Sequence, residues 1–288
     1  MAVHTQMFDL SGMVALVTGG SGSIGGAIAT GLVSHGSSVL IGARNIEKAE
    51  QVARQLNQQA AADETDPIAA AVQLDVTCDN SVERAVCKTV DLFGRIDILV
   101  NVAGQTMFKP TFELTTDEFQ HLYDTHVTGT LRCAQVAGHL FREQHRGCII
   151  NLASISSFVD LVEITAYAAA KNAVLGLTRS LANEWAKYGI RTNAIAPGFI
   201  PTSMNRTLIE QTDRGRRIIE HTPMGRFGSA DEIAPAAVFL ASPASSFVNG
   251  HTLVVDGGYL ACGIGGTTAP WENDVAEAAD PSPVASIT

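Results

Sequence analysis

Apolar and polar positions alternate between two periods from Gly12 to about Gly258. Short, largely apolar runs at 13–18, 38–42, 69–74, 96–101, 148–152, 191–196 and 252–255 predict seven strands. Between them, residues 23–35 and 46–60 carry helical spacing, and Val82, Val86, Val90 and Phe93 share one stripe of a further helix. Thr115-Thr-Asp-Glu118 and Ser229-Ala-Asp-Glu232 have the form of a capping box, in which a hydroxyl and a carboxylate satisfy amides exposed at a helix start. They predict two more helix openings. Strands too apolar to be half exposed, alternating with helices, predict an α/β fold: one doubly wound domain with a seven-stranded parallel sheet and helices on both faces. With no internal repeat or boundary, this domain is expected to occupy residues 1–262. Residues 263–288 are rich in Gly, Ala, Pro, Ser and Thr and hold four acidic and no basic side chains, so a flexible acidic tail is expected, with docking of Trp271 as the alternative.

Composition narrows the function classes. The 288 residues are 46% hydrophobic and 17% charged, as in an ordinary folded domain. No apolar run approaches the ~20 residues of a membrane span, and the first residues lack the basic and apolar regions of a secretory signal. A cytoplasmic protein without membrane association is expected. Nineteen basic against 29 acidic residues give a net charge of −10, which repels a phosphate backbone and argues against nucleic acid as a partner. The five cysteines are widely spaced without a Cys-x-x-Cys, so reduced, mostly buried thiols are expected, with neither disulfides nor a metal site.

The first strand runs directly into Thr18-Gly19-Gly-Ser21-Gly-Ser23-Ile24-Gly25 and then a helix. Glycines there permit a tight turn and close backbone approach, and the helix start offers unpaired amides to a pyrophosphate. A purely structural turn is the alternative. At the end of the second strand, Ile41-Gly-Ala-Arg44-Asn45 supplies no carboxylate for a ribose 2′-hydroxyl. Arg44 instead offers a guanidinium suited to a 2′-phosphate, which favours NADP over NAD, unless Arg44 is a solvated surface charge.

Tyr167 and Lys171 are four residues apart in a strongly helical stretch and share one face. A phenol normally titrates near ~10; a neighbouring ammonium, together with an oxidised nicotinamide, favours its phenolate. Ser154 follows the strand at 148–152, thirteen residues before Tyr167, where its hydroxyl can polarise a carbonyl at the carboxyl end of the sheet.

Taken jointly, the Gly-rich loop, Ser154, Tyr167-x-x-x-Lys171 and Asn193-Ala-Ile-Ala-Pro-Gly198 resemble the short-chain dehydrogenase/reductase family from about Phe8 to Leu260. The fold this implies is of Rossmann type, and the activity is hydride transfer between a nicotinamide cofactor and a carbonyl or secondary alcohol. Ser154 would hold the oxygen, Tyr167 exchange its proton, and Lys171 bind the nicotinamide ribose and lower the phenol pKa. The family's loop matches at Thr18, Gly19 and Gly25, with Ser23 at the middle glycine. By the same resemblance Asp75, with Val76 after it, meets the adenine. Asn101-Val-Ala103-Gly104 corresponds to Asn-Asn-Ala-Gly, Pro197, Gly198 and Ile200 line the nicotinamide, and Thr202 contacts the carboxamide or phosphates.

Asp124-Thr-His126-Val-Thr-Gly-Thr130 places His126 where the family carries an Asn that holds a water linking the Lys to solvent. A histidine adds a titration near ~6.5 if it takes that part, and none if it is a core side chain.

The stretches at 183–198, 223–228 and 248–258 resemble the branch containing gluconate and deoxygluconate dehydrogenases, which points to a sugar acid or polyol. The family's substrate lid falls at about 201–226 and holds Arg206, Arg214, Arg216, Arg217 and Arg226. One guanidinium could clamp a carboxylate, or all could be solvated. Gln105, Phe158 and Glu163 are weaker pocket candidates. An apolar ketone substrate, or a non-catalytic NADP-binding sensor or assembly protein, is the competing function. A homo-oligomer, dimer or tetramer, is expected from the resemblance.

Overall fold

The computed structural model describes residues 6–60, 68–202, 205–210 and 212–262. The expected tail at 263–288 lies outside them. Strands β1 (Val14–Thr18), β2 (Ser38–Ala43), β3 (Ala69–Gln73), β4 (Ile98–Asn101), β5 (Gly147–Leu152), β6 (Ile190–Pro197) and β7 (Thr252–Val255) form one parallel sheet in the order β3-β2-β1-β4-β5-β6-β7. The expected seven strands and their parallel pairing are therefore present. Parallel neighbours require crossovers, and these are supplied by α1 (Ser23–Ser34), α2 (Ile46–Gln59), α3 (Asp79–Phe93), α4 (Thr116–Tyr123), α5 (Gly129–Gln144) and α6 (Thr165–Trp185). Two short helices, α7 (Arg206–Ile209) and α8 (Asp213–His221), and then α9 (Ala234–Ala241), lie between β6 and β7.

Successive strand residues point to opposite faces, and here both faces are apolar. Ala15 and Val17 of β1 join Ile28 and Leu32 of α1 and Val238 of α9 in one buried cluster. Leu16, between them in sequence, joins Val82 and Val86 of α3 and Phe141 of α5 in the other. Close helix contact needs small side chains: a Cβ on Gly31 of α1 would come within 2.9 Å of the Ala234 Cβ on α9. At the amino ends of the strands, the buried Asp97 carboxylate accepts from the Val14 amide at 3.0 Å and pairs with Arg95 and Arg146. The ionisable group inside β4's run is thus neutralised by two guanidinia.

Both capping boxes form. That at Thr115 opens α4, whereas that at Ser229 opens only a single 3-10 turn, Ala230–Glu232, ahead of α9. The thiols are free but not mostly buried as expected: Cys133 and Cys148 are buried, Cys78 and Cys87 exposed, and Cys262 intermediate. Among the described residues, no helix is long and apolar enough to cross a membrane, and no group of three His, Cys, Asp or Glu side chains is placed to hold a metal.

Candidate active site

Sheet order reverses between β1 and β4, and the carboxyl ends of these strands with β5 and β6 open onto one cavity of about 620 Å³. A crevice at such a switch point is where open parallel sheets bind ligands.

One wall is the turn from β1 into α1. Gly19 has φ 66°, and a Cβ there would lie 2.8 Å from the Ala103 Cα. A Cβ on Gly25 would lie 2.4 Å from the Gly19 carbonyl oxygen. Only glycine fits either position. Ser21, Ser23, Ile24 and Gly25 line the cavity, and no side chain caps the amino end of α1, so its first amides serve the cavity side. Ser23 at the middle glycine position keeps the turn intact. Farther along this wall stand Arg44 at the end of β2, Asp75 and Val76 after β3, and Ala103 and Gly104 after β4. The Asp75 carboxyl is held below its ordinary range by hydrogen bonds from the Thr77 hydroxyl and amide.

Two expected contact residues stand behind the wall instead. The Thr18 hydroxyl accepts from the Val102 and Ala103 amides at 3.1 Å each, fastening the turn after β1 to that after β4. The buried Asn101 donates to Asn151 at 2.9 Å, and Asn151 donates to Thr178 of α6 at 3.0 Å. Neither Thr18 nor Asn101 lines the cavity. These bonds join strands, so both residues shape the site without lining it, and the buried Asn101 Oδ1 has no hydrogen-bond partner in the protein.

The other end holds the expected triad. Ser154 caps the turn after β5, its Oγ accepting from the Ser156 amide at 3.1 Å. Tyr167 and Lys171 project from the first two turns of α6, with the Lys171 Nζ 5.5 Å from the Tyr167 ring centre. All three line the cavity and are buried or nearly so. Lys171 donates to the Leu152 carbonyl at 2.5 Å, and burial brings its amine down to about 7. The expected lowering of the phenol is not produced by the chain's own groups. Burial raises the Tyr167 pKa and outweighs a hydrogen bond with Ser154. The phenol is therefore a proton donor poised beside a hydroxyl and an amine, an arrangement suited to proton exchange at a carbonyl or alcohol oxygen.

His126 lies in a π-helical turn, Asp124–Thr128, between α4 and α5. Its ring stands edge-on to Tyr167 at 5.5 Å and beneath Gly104, where a Cβ would fall 2.2 Å from the imidazole Cε1. Its Nε2 lies 2.8 Å from the Gln105 carbonyl, while the buried Nδ1 has no hydrogen-bond partner in the protein. Burial, reinforced by the Lys171 charge, brings the imidazole down to about 3. Of the two alternatives, the direction of this shift favours the core side chain, neutral near pH 7.

Pro197, Gly198, Ile200 and Thr202 close the third side after β6. Gln105 lines the cavity, and Phe158 and Glu163 do not. Of the five lid arginines only Arg214 reaches it. Arg206 pairs with Glu210, Arg216 with Asp213, and Arg226 with Glu232. Phe108, His121 and Asn205 also line the cavity and carry no motif by which the sequence marks them.

A family model described as enoyl-(acyl carrier protein) reductase matches residues 19–260. The 2-dehydro-3-deoxy-D-gluconate 5-dehydrogenase of Dickeya dadantii (strain 3937) is 38% identical over 269 residues, covering 88% of this chain and 98% of its own. The gluconate 5-dehydrogenase of Gluconobacter oxydans (strain 621H) is 35% identical over 255 residues, covering 88% and 97%. A crystal structure of a gluconate 5-dehydrogenase from Burkholderia cenocepacia J2315, in complex with NADP and tartrate, matches with a TM-score of 0.85 and 36% identity over 90% of this chain and 100% of that one.

Proposed function

We propose, from the premise that the chain belongs to the short-chain dehydrogenase/reductase family, that it is an NADP-dependent oxidoreductase interconverting a secondary alcohol and a ketone on a sugar acid or polyol. The observation that carries this reading is the convergence of Ser154, Tyr167 and Lys171 on the same cavity as the glycine turn. Similarity to gluconate and deoxygluconate dehydrogenases supports the substrate class, and the NADP bound in a structural relative supports the cofactor.

The site's own features fit the cofactor. A Cβ on Gly19 or Gly25 would strike the backbone of the turns themselves, so these glycines keep the loop tight, and the uncapped α1 start suits a pyrophosphate. Arg44 and Lys48 stand at the end where a 2′-phosphate belongs. When bound, the nicotinamide supplies the hydride chemistry. Ser154 orients the reacting oxygen by hydrogen bonding, and Tyr167 Oη gives or takes its proton. Lys171 would hold the ribose and, when protonated, would place a positive charge beside the phenol.

A screen of aldonates, polyols and apolar ketones with both cofactors tests the reading. Turnover of aldonates or polyols with NADP is expected; NADPH binding without turnover across the panel overturns it. In the same assay, Arg44→Ala is expected to weaken NADPH binding about 10–100-fold, as for a lost charge-assisted hydrogen bond, and NADH binding about twofold or less. Equal losses would return Arg44 to a surface charge.

His126 belongs to this reading as a positioning residue that braces the Tyr167 ring and the Gly104–Gln105 backbone. His126→Leu is expected to slow kcat at least about tenfold, with His126→Asn retaining more. Because the imidazole does not titrate near neutrality, neither variant should change the shape of the pH profile between about 6 and 8. Wild-type kcat in the Leu variant would reduce His126 to core filling.

The reading includes a cytoplasmic homo-oligomer; its self-association, not its location, is supported by the fully exposed Phe112 and Phe247, which another copy would cover. Light scattering measures its size.

A further inference from the structure

We propose, building on the sugar-acid reading above, that Arg214 is the specificity-determining residue for substrate: its guanidinium binds the substrate carboxylate and releases Glu163 to do so. Asp75 is the one acidic side chain among the described residues lining the cavity, and it stands at the Arg44 end. The lining also holds two cations away from that end, Lys171, 5.5 Å from the Tyr167 ring centre, and Arg214, whose partner Glu163 does not line the cavity. With no acidic side chain among the described residues lining the Tyr167 end, the cavity there favours an anionic substrate, for which Arg214 offers a guanidinium held by one carbonyl and one loose carboxylate contact.

The position of Arg214 is built. Thr212 caps α8 by accepting from the Gly215 amide at 3.0 Å, and a Cβ on Gly215 would run into the Ile209 carbonyl oxygen, so α8 is fixed against α7. One arm of the guanidinium donates to the Val162 carbonyl at 2.9 Å, and its carbon sits 5.1 Å from the centre of the Phe108 ring. The other arm faces the Glu163 carboxylate at 3.5 Å, beyond a good hydrogen bond. Glu163 has φ 69°, a left-handed conformation rare for a side chain of its size, and its carbonyl accepts from the Lys109 amide at 2.7 Å. The fold thus holds a carboxylate opposite Arg214 at a backbone cost. A half-exposed pair of this length contributes about 0–1 kcal/mol, so a closer, bidentate substrate carboxylate displaces Glu163 readily. The Val162 carbonyl and the Phe108 ring keep the guanidinium aimed, and Glu163 makes the exchange selective for a competing anion.

The test compares gluconate, or whichever aldonate is turned over fastest, with its uncharged amide. Arg214→Gln is expected to raise the KM for the acid about 10–100-fold with kcat changed less than about threefold. The KM for the amide should move less than about threefold. Glu163→Gln should lower the KM for the acid, because the competing carboxylate is gone, and this second variant leaves the guanidinium in place. Equal effects of Arg214→Gln on acid and amide, or a raised KM for the acid in Glu163→Gln, overturn the inference. Turnover of polyols or apolar ketones but of no aldonate also overturns it, while hydride transfer at the site stands. NADPH binding without any turnover overturns the reading of the site, and the inference with it.

Discussion

Tyr167→Phe is expected to lower turnover by about 10²–10⁴-fold, the range of a lost general acid–base group, while leaving NADPH affinity within about twofold of the parent. The substitution removes one hydroxyl and keeps the ring. That ring is held by apolar neighbours in a small buried cluster with Leu122 and Ala170, by the edge of His126, and by the Lys171 ammonium 5.5 Å away. None of these contacts uses Oη. Ser154 loses a hydrogen-bond partner but keeps its bond from the Ser156 amide at 3.1 Å, so the turn after β5 stays in place. The direction of the phenol's perturbation adds a second reason. Burial raises its pKa and leaves the proton on Oη, while Lys171 donates to the Leu152 carbonyl. Steady-state kinetics with the preferred substrate and a fluorescence titration with NADPH separate the two effects. Residual activity above about a tenth of the parent would show that the proton travels by another route.

What the sequence made legible follows from what burial demands. The strands are readable because each must be apolar on both faces, as Ala15, Leu16 and Val17 show by dividing between two cores. The glycine turn is readable because Gly19 and Gly25 admit no Cβ. A helical spacing of four is enough to put Tyr167 and Lys171 on one face of α6. The direction in which a polar side chain faces is not encoded in such patterns. Thr18 and Asn101 sit in the right motifs yet turn away from the cavity to join strands. The five lid arginines look alike in sequence; Glu210, Asp213 and Glu232 engage three of them, and of all five only Arg214 lines the cavity, which no local pattern marks. His126 stands beside Tyr167, but its protonation depends on depth of burial, which no local pattern carries.

Lys171→Met is expected to cost turnover by at least about 10²-fold and, in the ligand-free protein, to remove a dependence of stability on pH. The buried amine of Lys171 is brought down to about 7, against ~10.4 in an unfolded chain. Between these values the unfolded chain binds a proton that the folded one does not, so raising the pH through this window stabilises the fold. Below about 7 both states are protonated, and the penalty of burying the ammonium is present in full. Cys133, its thiol raised to about 12, and Cys148, also raised, act in the opposite sense above ~8.5, because there the unfolded chain ionises first. The comparison is therefore between parent and variant from pH 6 to 8.5, where these thiols contribute equally to both. Methionine keeps an unbranched apolar stem and carries no charge, and it gives up the bond to the Leu152 carbonyl, a loss of roughly 1 kcal/mol at any pH. That loss shifts the variant's curve without changing its slope. Denaturant unfolding should show the parent gaining on the variant above pH 7, by at most ~1.4 kcal/mol per unit. Parallel curves would place the proton on Lys171 throughout, and with it a fixed ammonium beside Tyr167 in place of one poised near neutrality.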